Sequence, residues 1–198
     1  MDLEQGTRRD IAVIKAVREA VGPECPLMLD ANNGYNLNLA KRVLSETAPI
    51  YWLEEPFHED PVLYEDLKSW LDRERMPTLI ADGEGDASLA LLNWARRGLI
   101  DVVQYDIHQP GFTRWVDLGS QLDEWGVRSA PHHYGALYGN FTTGHLAAHI
   151  RGFTFVEWDE ASCPGLDSSG YTIENGRITV PDTPGFGLHL EDDRFLDG

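Results

Sequence analysis

The sequence predicts an α/β fold: part of a β/α (TIM-type) barrel, with six parallel strands followed by a C-terminal hairpin and extended tail. Three observations carry that expectation. Short apolar runs alternate with helical stretches from residue 9 to residue 157. The runs are continuous rather than alternating, the pattern of parallel strands covered on both faces by helices. A polar residue closes or follows each run at a steady beat: Asp30, Glu54, Glu84, Asp106, His132 and Glu157, separated by 24, 30, 22, 26 and 25 residues. That step matches one strand plus one returning helix. Polar groups at the carboxyl ends of buried strands are how such a barrel builds an active site, so the chain reads as an enzyme.

The elements follow in order. Ile11, Ile14, Val17 and Val21 form a helical stripe ended by Gly22-Pro23, and Leu27–Asp30 is the first strand. Helices are expected near Asn38–Glu46, Val62–Arg73, Ser88–Arg97, Thr113–Trp125 and Gly139–Ile150. Strands near Tyr51–Glu54, Thr78–Ala81, Val102–Tyr105, Arg128–Pro131 and Phe153–Glu157 separate them. Such alternation means right-handed β/α units. Beyond Glu157, Ser162–Gly170 is loop-like, Tyr171–Val180 reads as a hairpin turning at Asn175-Gly176, and the Pro- and Gly-punctuated tail is extended. The expected organisation is therefore a partial barrel over residues 1–160 and a hairpin and tail over 161–198. A closed barrel needs eight strands and typically about 250 residues. Six strands leave open edges, which are unstable or adhesive. The covering strands are expected upstream of Met1, from a complementing N-terminal chain, or through a homo-oligomer, unless the sheet is open; the unpaired opening helix favours an upstream strand.

Composition narrows the function. The 198 residues carry a net charge of −17, with 42% hydrophobic and 25% charged residues. Nucleic acid is excluded as a partner, since phosphate binding needs clustered Lys and Arg. No stretch approaches the roughly 20 apolar residues of a membrane span, and the start lacks the features of a signal peptide. A cytoplasmic location is expected. Cys25 and Cys163 lack metal-like spacing and read as reduced, buried thiols. The sequon Asn140-Phe141-Thr142 reads as accidental.

Asp30, Glu54 and Glu84 would project from the ends of three successive strands about 4.8 Å apart, near enough to converge. Taken singly, each is more cheaply read as a strand-end or capping residue. Three in consecutive register would repel one another without a cation, and hard oxygen ligands suit Mg²⁺. On the next two strands Asp106 would orient the His132 ring and raise its basicity; His133 rivals His132 for that place. A His beside a metal-bound carboxylate substrate can take the proton alpha to that carboxylate, and the metal then stabilises the enolate. Glu157, if protonated, would donate to a substrate carboxylate or enolate oxygen. Other candidates read as structural. His145 and His149 lie four apart on an outer helix and read as surface residues, Glu55 is expected to point away from Glu54, and the tryptophans read as core or interface residues.

In sequence context these residues resemble the enolase superfamily, and within it the mandelate racemase subgroup. The segments are Leu-Met-Leu-Asp30-Ala-Asn-Asn-Gly-Tyr, Tyr-Trp-Leu-Glu54-Glu-Pro, Ile-Ala-Asp-Gly-Glu84-Gly, Val-Val-Gln-Tyr-Asp106, Ser-Ala-Pro-His132, Phe-Val-Glu157 and the terminal Pro-Asp-Thr-Pro-Gly-Phe-Gly. The resemblance implies Asp30, Glu54 and Glu84 as Mg²⁺ ligands, Asp106 and His132 as the general-base dyad, and Glu157 facing the enolate. It favours His132 over His133, which does not directly follow the Ser-Ala-Pro run, and places Asn32 in the substrate pocket. The chain would then hold strands three to eight of the family's barrel, without the capping domain and first two strands. The subgroup often carries a Lys-x-Lys pair on its second strand; only Arg8, Arg9 and Lys15 precede Asp30 here. The implied activity is Mg²⁺-dependent proton abstraction from a hydroxy acid, ending in dehydration of an acid sugar. A racemase or epimerase, or a split homologue without independent activity, are the alternatives.

Overall fold

The structure, a computed structural model, describes residues 3–47, 49–134, 138–159 and 165–191. Two compact units divide the chain, Met1–Val103 and Gln104–Gly198.

The first unit is a parallel sheet covered by helices. Strands β1 (Leu29–Asp30), β2 (Trp52–Glu54), β3 (Leu79–Asp82) and β4 (Val102–Val103) pair in that order. The ladder aligns Asp30 with Glu54, Glu54 with Ala81, and Ala81 with Val102. Leu53, Ile80, Val102 and Val103 are buried, as continuous apolar runs require of a covered parallel sheet.

Helix α1 (Leu3–Val21) departs from the expected stripe: Thr7, Ile11 and Ile14 are buried, while Val17 and Val21 are exposed. The true inward row continues through position 18. Arg18 takes that place because its guanidinium donates to the carbonyls of Gly22, Cys25 and Pro49, tying the helix end to the next loop. Cys25 in that loop is exposed rather than buried; Cys163 lies outside the described residues.

Helix α2 (Leu37–Glu46) starts where the Asn36 side chain accepts from the Leu39 amide. Helix α3 (Pro61–Glu74) starts where Asp60 accepts from the amides of Val62 and Leu63, with Pro at the first helical position. Tyr64, Leu67 and Leu71 give α3 a buried face at helical spacing. Tyr64 lies between Phe57 and Trp94, with ring centroids 5.2 and 6.0 Å away. Helix α4 is shorter than expected, Leu91–Arg96.

In the second unit, helix α5 (Phe112–Trp125) buries Trp115, Gly119 and Leu122. A side chain at position 119 would collide with Ile150, so glycine is required by close approach rather than by turn geometry. Strand β5 (Arg128–Ser129) runs parallel to the segment at Phe153 through a single bridge, with the Thr154 amide donating to the Ser129 carbonyl. The sixth strand expected over Phe153–Glu157 is thus reduced to that bridge.

Helix α6 (Gly139–Ala147) follows. Strands β6 (Leu166–Asp167) and β9 (His189–Leu190) form an unanticipated antiparallel pair. β7 (Thr172–Glu174) and β8 (Arg177–Thr179) form the expected hairpin, with Asn175 at φ 52° and Gly176 at φ 70° supplying its turn. His145 is not on a bare surface: its Nε2 meets the Tyr171 hydroxyl at 2.9 Å, and that hydroxyl donates to the Phe186 carbonyl. Asn140 is buried, its amide group bonded to the Asp159 backbone through both oxygen and nitrogen, so the sequon offers no accessible acceptor.

Candidate active site

In the first unit the parallel ladder puts Asp30 and Glu54 side by side at strand ends. The chain beyond each is bent by local hydrogen bonds. Asp30 Oδ1 accepts from the Asn32 amide at 2.7 Å, and Asn32 and Asn33 adopt left-handed backbone, φ 46° and 59°. The Asn33 side chain then donates to Glu55 Oε2 at 3.0 Å. Glu54 Oε2 accepts from the Trp52 indole at 2.9 Å, since residues two apart on a strand share a face. Glu84 lies in the loop after β3, between two positive-φ glycines, Gly83 and Gly85.

Glu55 was expected to point away and instead joins this group. β2 ends at Glu54, so strand alternation no longer governs position 55, and its φ of 39° turns it inward to 7% exposure. Burial, then the charges of Glu84 and Asp30, push its carboxyl up to about 7. Asp82, unremarked in the sequence, is 2% exposed and accepts the Tyr64 hydroxyl. Its carboxyl is also pushed up to about 7, first by burial and then by Glu59 and Glu55.

Excess negative charge is therefore concentrated around Asp30, Glu55 and Glu84. Yet among the described residues no three His, Cys, Asp or Glu side chains converge closely enough to hold a metal. The structure sets Asp30 and Glu54 in register without closing a cage, their oxygens engaged by Asn32 and Trp52. The donor chemistry nonetheless fits a hard divalent cation: all-oxygen ligands, beside a carboxyl whose pKa burial and then their charge push up.

In the second unit the backbone around Asp106 runs beside His132: the His132 amide donates to Gln104 and its carbonyl accepts from Ile107. This brings Asp106 Oδ2 to 2.9 Å from His132 Nδ1. An ionised carboxylate only accepts, so Nδ1 carries the proton and Nε2 is left as the basic nitrogen. Burial pushes the Asp106 carboxyl up, but the His108 amide and the His132 and His108 rings outweigh it and hold the group below its ordinary value. His108 was missed in the sequence because only the fold shows that its ring reaches the same carboxylate, Nδ1 to Oδ1 at 3.1 Å.

His133 is fully buried, and among the described residues neither ring nitrogen has a hydrogen-bond partner. Desolvation holds its pKa below the ordinary 6.5, and Gly139 packs directly against its ring. A buried, unpartnered imidazole is a poor rival for the base. Glu157 is exposed, and its Oε2 accepts the amides of His133 and Tyr134 at 2.7 and 3.1 Å. Any proton it donates would come from Oε1.

Known proteins are similar to this chain. A galacturonate dehydratase from Geobacillus sp., solved with D-galacturonate and 5-keto-4-deoxy-D-galacturonate, is 55% identical with a TM-score of 0.95, over 98% of this chain and 53% of that one. A mutant of the same enzyme was solved in complex with Mg. D-galactarolactone cycloisomerase from Agrobacterium fabrum is 29% identical over 97% of this chain and 54% of its own length. Arabinonate dehydratase from Saccharolobus solfataricus is 30% identical over 94% of this chain and 50% of its own. The chain thus spans about half the length of the curated relatives it matches. No described helix is long and apolar enough to cross a membrane. Residues 1–194 match the family model described as enolase C-terminal domain-like. With its strand-end acids, its Asp–His pair and its α/β fold, part of that family's β/α barrel, the chain belongs to the enolase superfamily, in its mandelate racemase subgroup.

Proposed function

We propose that the chain carries the metal-binding and proton-abstracting groups of a Mg²⁺-dependent acid-sugar dehydratase acting on a hexuronate of the D-galacturonate type. The observation that carries the reading is the Asp106–His132 hydrogen bond, which selects the tautomer a general base needs. The 55% identity to a dehydratase solved with D-galacturonate and its 4-deoxy-5-keto product supports the substrate class.

Conversion of the first compound to the second is loss of water. The proton leaves C5, alpha to the carboxylate; the hydroxyl leaves C4; the resulting enol becomes the 5-ketone. In this reading His132 Nε2 takes the C5 proton, and Asp106 stabilises the imidazolium that forms. The same imidazolium can return its proton to the departing hydroxide, which balances the step. Asp30, Glu54 and Glu84 would hold the ion, whose charge favours electron density moving onto the substrate carboxylate. Glu157 would donate from Oε1 to an enolate oxygen, with its other oxygen fixed by backbone amides.

The test is product formation from D-galacturonate and Mg²⁺, followed by proton NMR in D₂O. The parent chain should form the 4-deoxy-5-keto acid, and His132→Asn should lose about 10²- to 10⁴-fold in rate. An unchanged rate in His132→Asn would sink the assignment. Deuterium appearing in both epimers without dehydration would replace it with an epimerase.

A further inference from the structure

Asp106 serves two imidazoles, and the dyad description uses only one. Its Oδ2 meets His132 Nδ1 at 2.9 Å; its Oδ1 accepts the His108 amide at 2.7 Å and meets His108 Nδ1 at 3.1 Å. The carboxylate has lone pairs for all three bonds but no proton to give, so both rings place Nδ1–H toward it. Nε2 is therefore the unprotonated nitrogen of each neutral ring. The two rings differ in environment: the His132 side chain is 20% exposed, the His108 side chain 42%.

We infer that His108 is a positioning residue for His132, acting through Asp106 to lower the proton affinity of the His132 ring and to anchor the shared carboxylate. His108 draws on the negative charge that would otherwise stabilise a protonated His132. This holds whether His108 is neutral, through its two hydrogen bonds to Oδ1, or charged, through direct opposition as well. The sign is the same in both states. A proton on either ring disfavours a proton on the other, because both rings draw on the one carboxylate. Among the described residues, the buried His133 ring feels both His132 and His108, and Glu157 in turn acts on His133.

The arrangement also restrains geometry. The bonds from residue 108 back to Asp106 form a closed turn that holds Oδ2 toward His132. His132 thus remains an unprotonated, correctly oriented base to lower pH than an Asp–His pair alone would allow. That His132 is the base rests on the proposed function; the coupling itself does not, because it is read from ring protonation rather than turnover.

The test is a pH titration of the histidine ring resonances by ¹⁵N–¹H NMR in the full chain, with His108→Gln. The expected result is a rise of roughly one pH unit in the His132 midpoint in the variant, at the low end of what a neighbouring charge does. In the parent chain the His108 and His132 curves should each show an inflection at the other's midpoint. An unchanged His132 midpoint in a folded variant overturns the inference. If His108→Gln does not fold, the parent titration decides: two independent, single-step curves overturn it. Loss of dehydration with the coupling intact would instead count against the proposed function alone.

Discussion

At the scale of single residues, burial and neighbouring charge set what each group can do. His133 illustrates the consequence for stability. Its folded pKa is depressed by burial, while an unfolded imidazole takes its proton as pH falls through about 6.5. The unfolded state then binds more protons, so the stability His133 contributes is present above that value and lost below it. Glu55 and Asp82, raised to about 7, act in the opposite sense over part of the same window, so the comparison must be between parent and variant. His133→Leu should flatten the acid-side loss of stability relative to the parent, read as urea midpoints between pH 5 and 6.5. An identical difference at both pH values would reject the role given to burial. Asp106 and His132 were legible from strand-end spacing. The inward turn of Glu55, the burial of Asp82 and the sealing of His133 were not, because they depend on packing against residues remote in the chain. The His108 ring reaches back to Asp106 through a local turn whose strand-end partner is fixed only by the fold.

Elements were the most legible scale, since caps and periodicity depend on residues a few positions apart. Asp60 followed by Pro61 opens α3, where the amides of Val62 and Leu63 both donate to Asp60 Oδ1. Asp60→Ala should cost about 1 kcal/mol, measured by urea unfolding at pH 7. A cost near zero would mean that solvent or another group caps the helix equally well. The α1 stripe shows where periodicity misleads. Val17 and Val21 are as apolar as Ile11 and Ile14, yet the inward row passes through Arg18, whose aliphatic stem and carbonyl-capping head fill that position. The sixth strand fails for a related reason: an apolar run at Phe153–Val156 states preference for burial, whereas a ladder needs a partner backbone in register, and only Phe153 has one.

At the scale of the whole molecule, a net charge of −17 collects counterions everywhere, so weak Mg²⁺ association alone says little. A built site should survive screening. Calorimetric Mg²⁺ titration at 150 mM salt should give saturable binding that Glu84→Gln weakens at least about tenfold, whereas diffuse association falls equally in both. Equal binding by parent and variant would remove Glu84 from the ligand set. The sequence by itself determined the α/β alternation, the placement of Asp30 and Glu54 at strand ends and of Asp106 and His132 just beyond them, the starts of α2, α3, α5 and α6 to within a residue, and the Asn175-Gly176 turn. All of these follow from steric preferences and hydrogen bonds within a few residues. Tertiary structure alone decided that Glu55 faces Asp30 and Glu84, that Asp106 holds two imidazoles, and that His133 is sealed without a partner among the described residues. The first and last depend on distances between groups remote in the chain and on exclusion of water, which no local pattern encodes; the second adds a local His108 turn to the Asp106–His132 pairing that the strand ends already suggested.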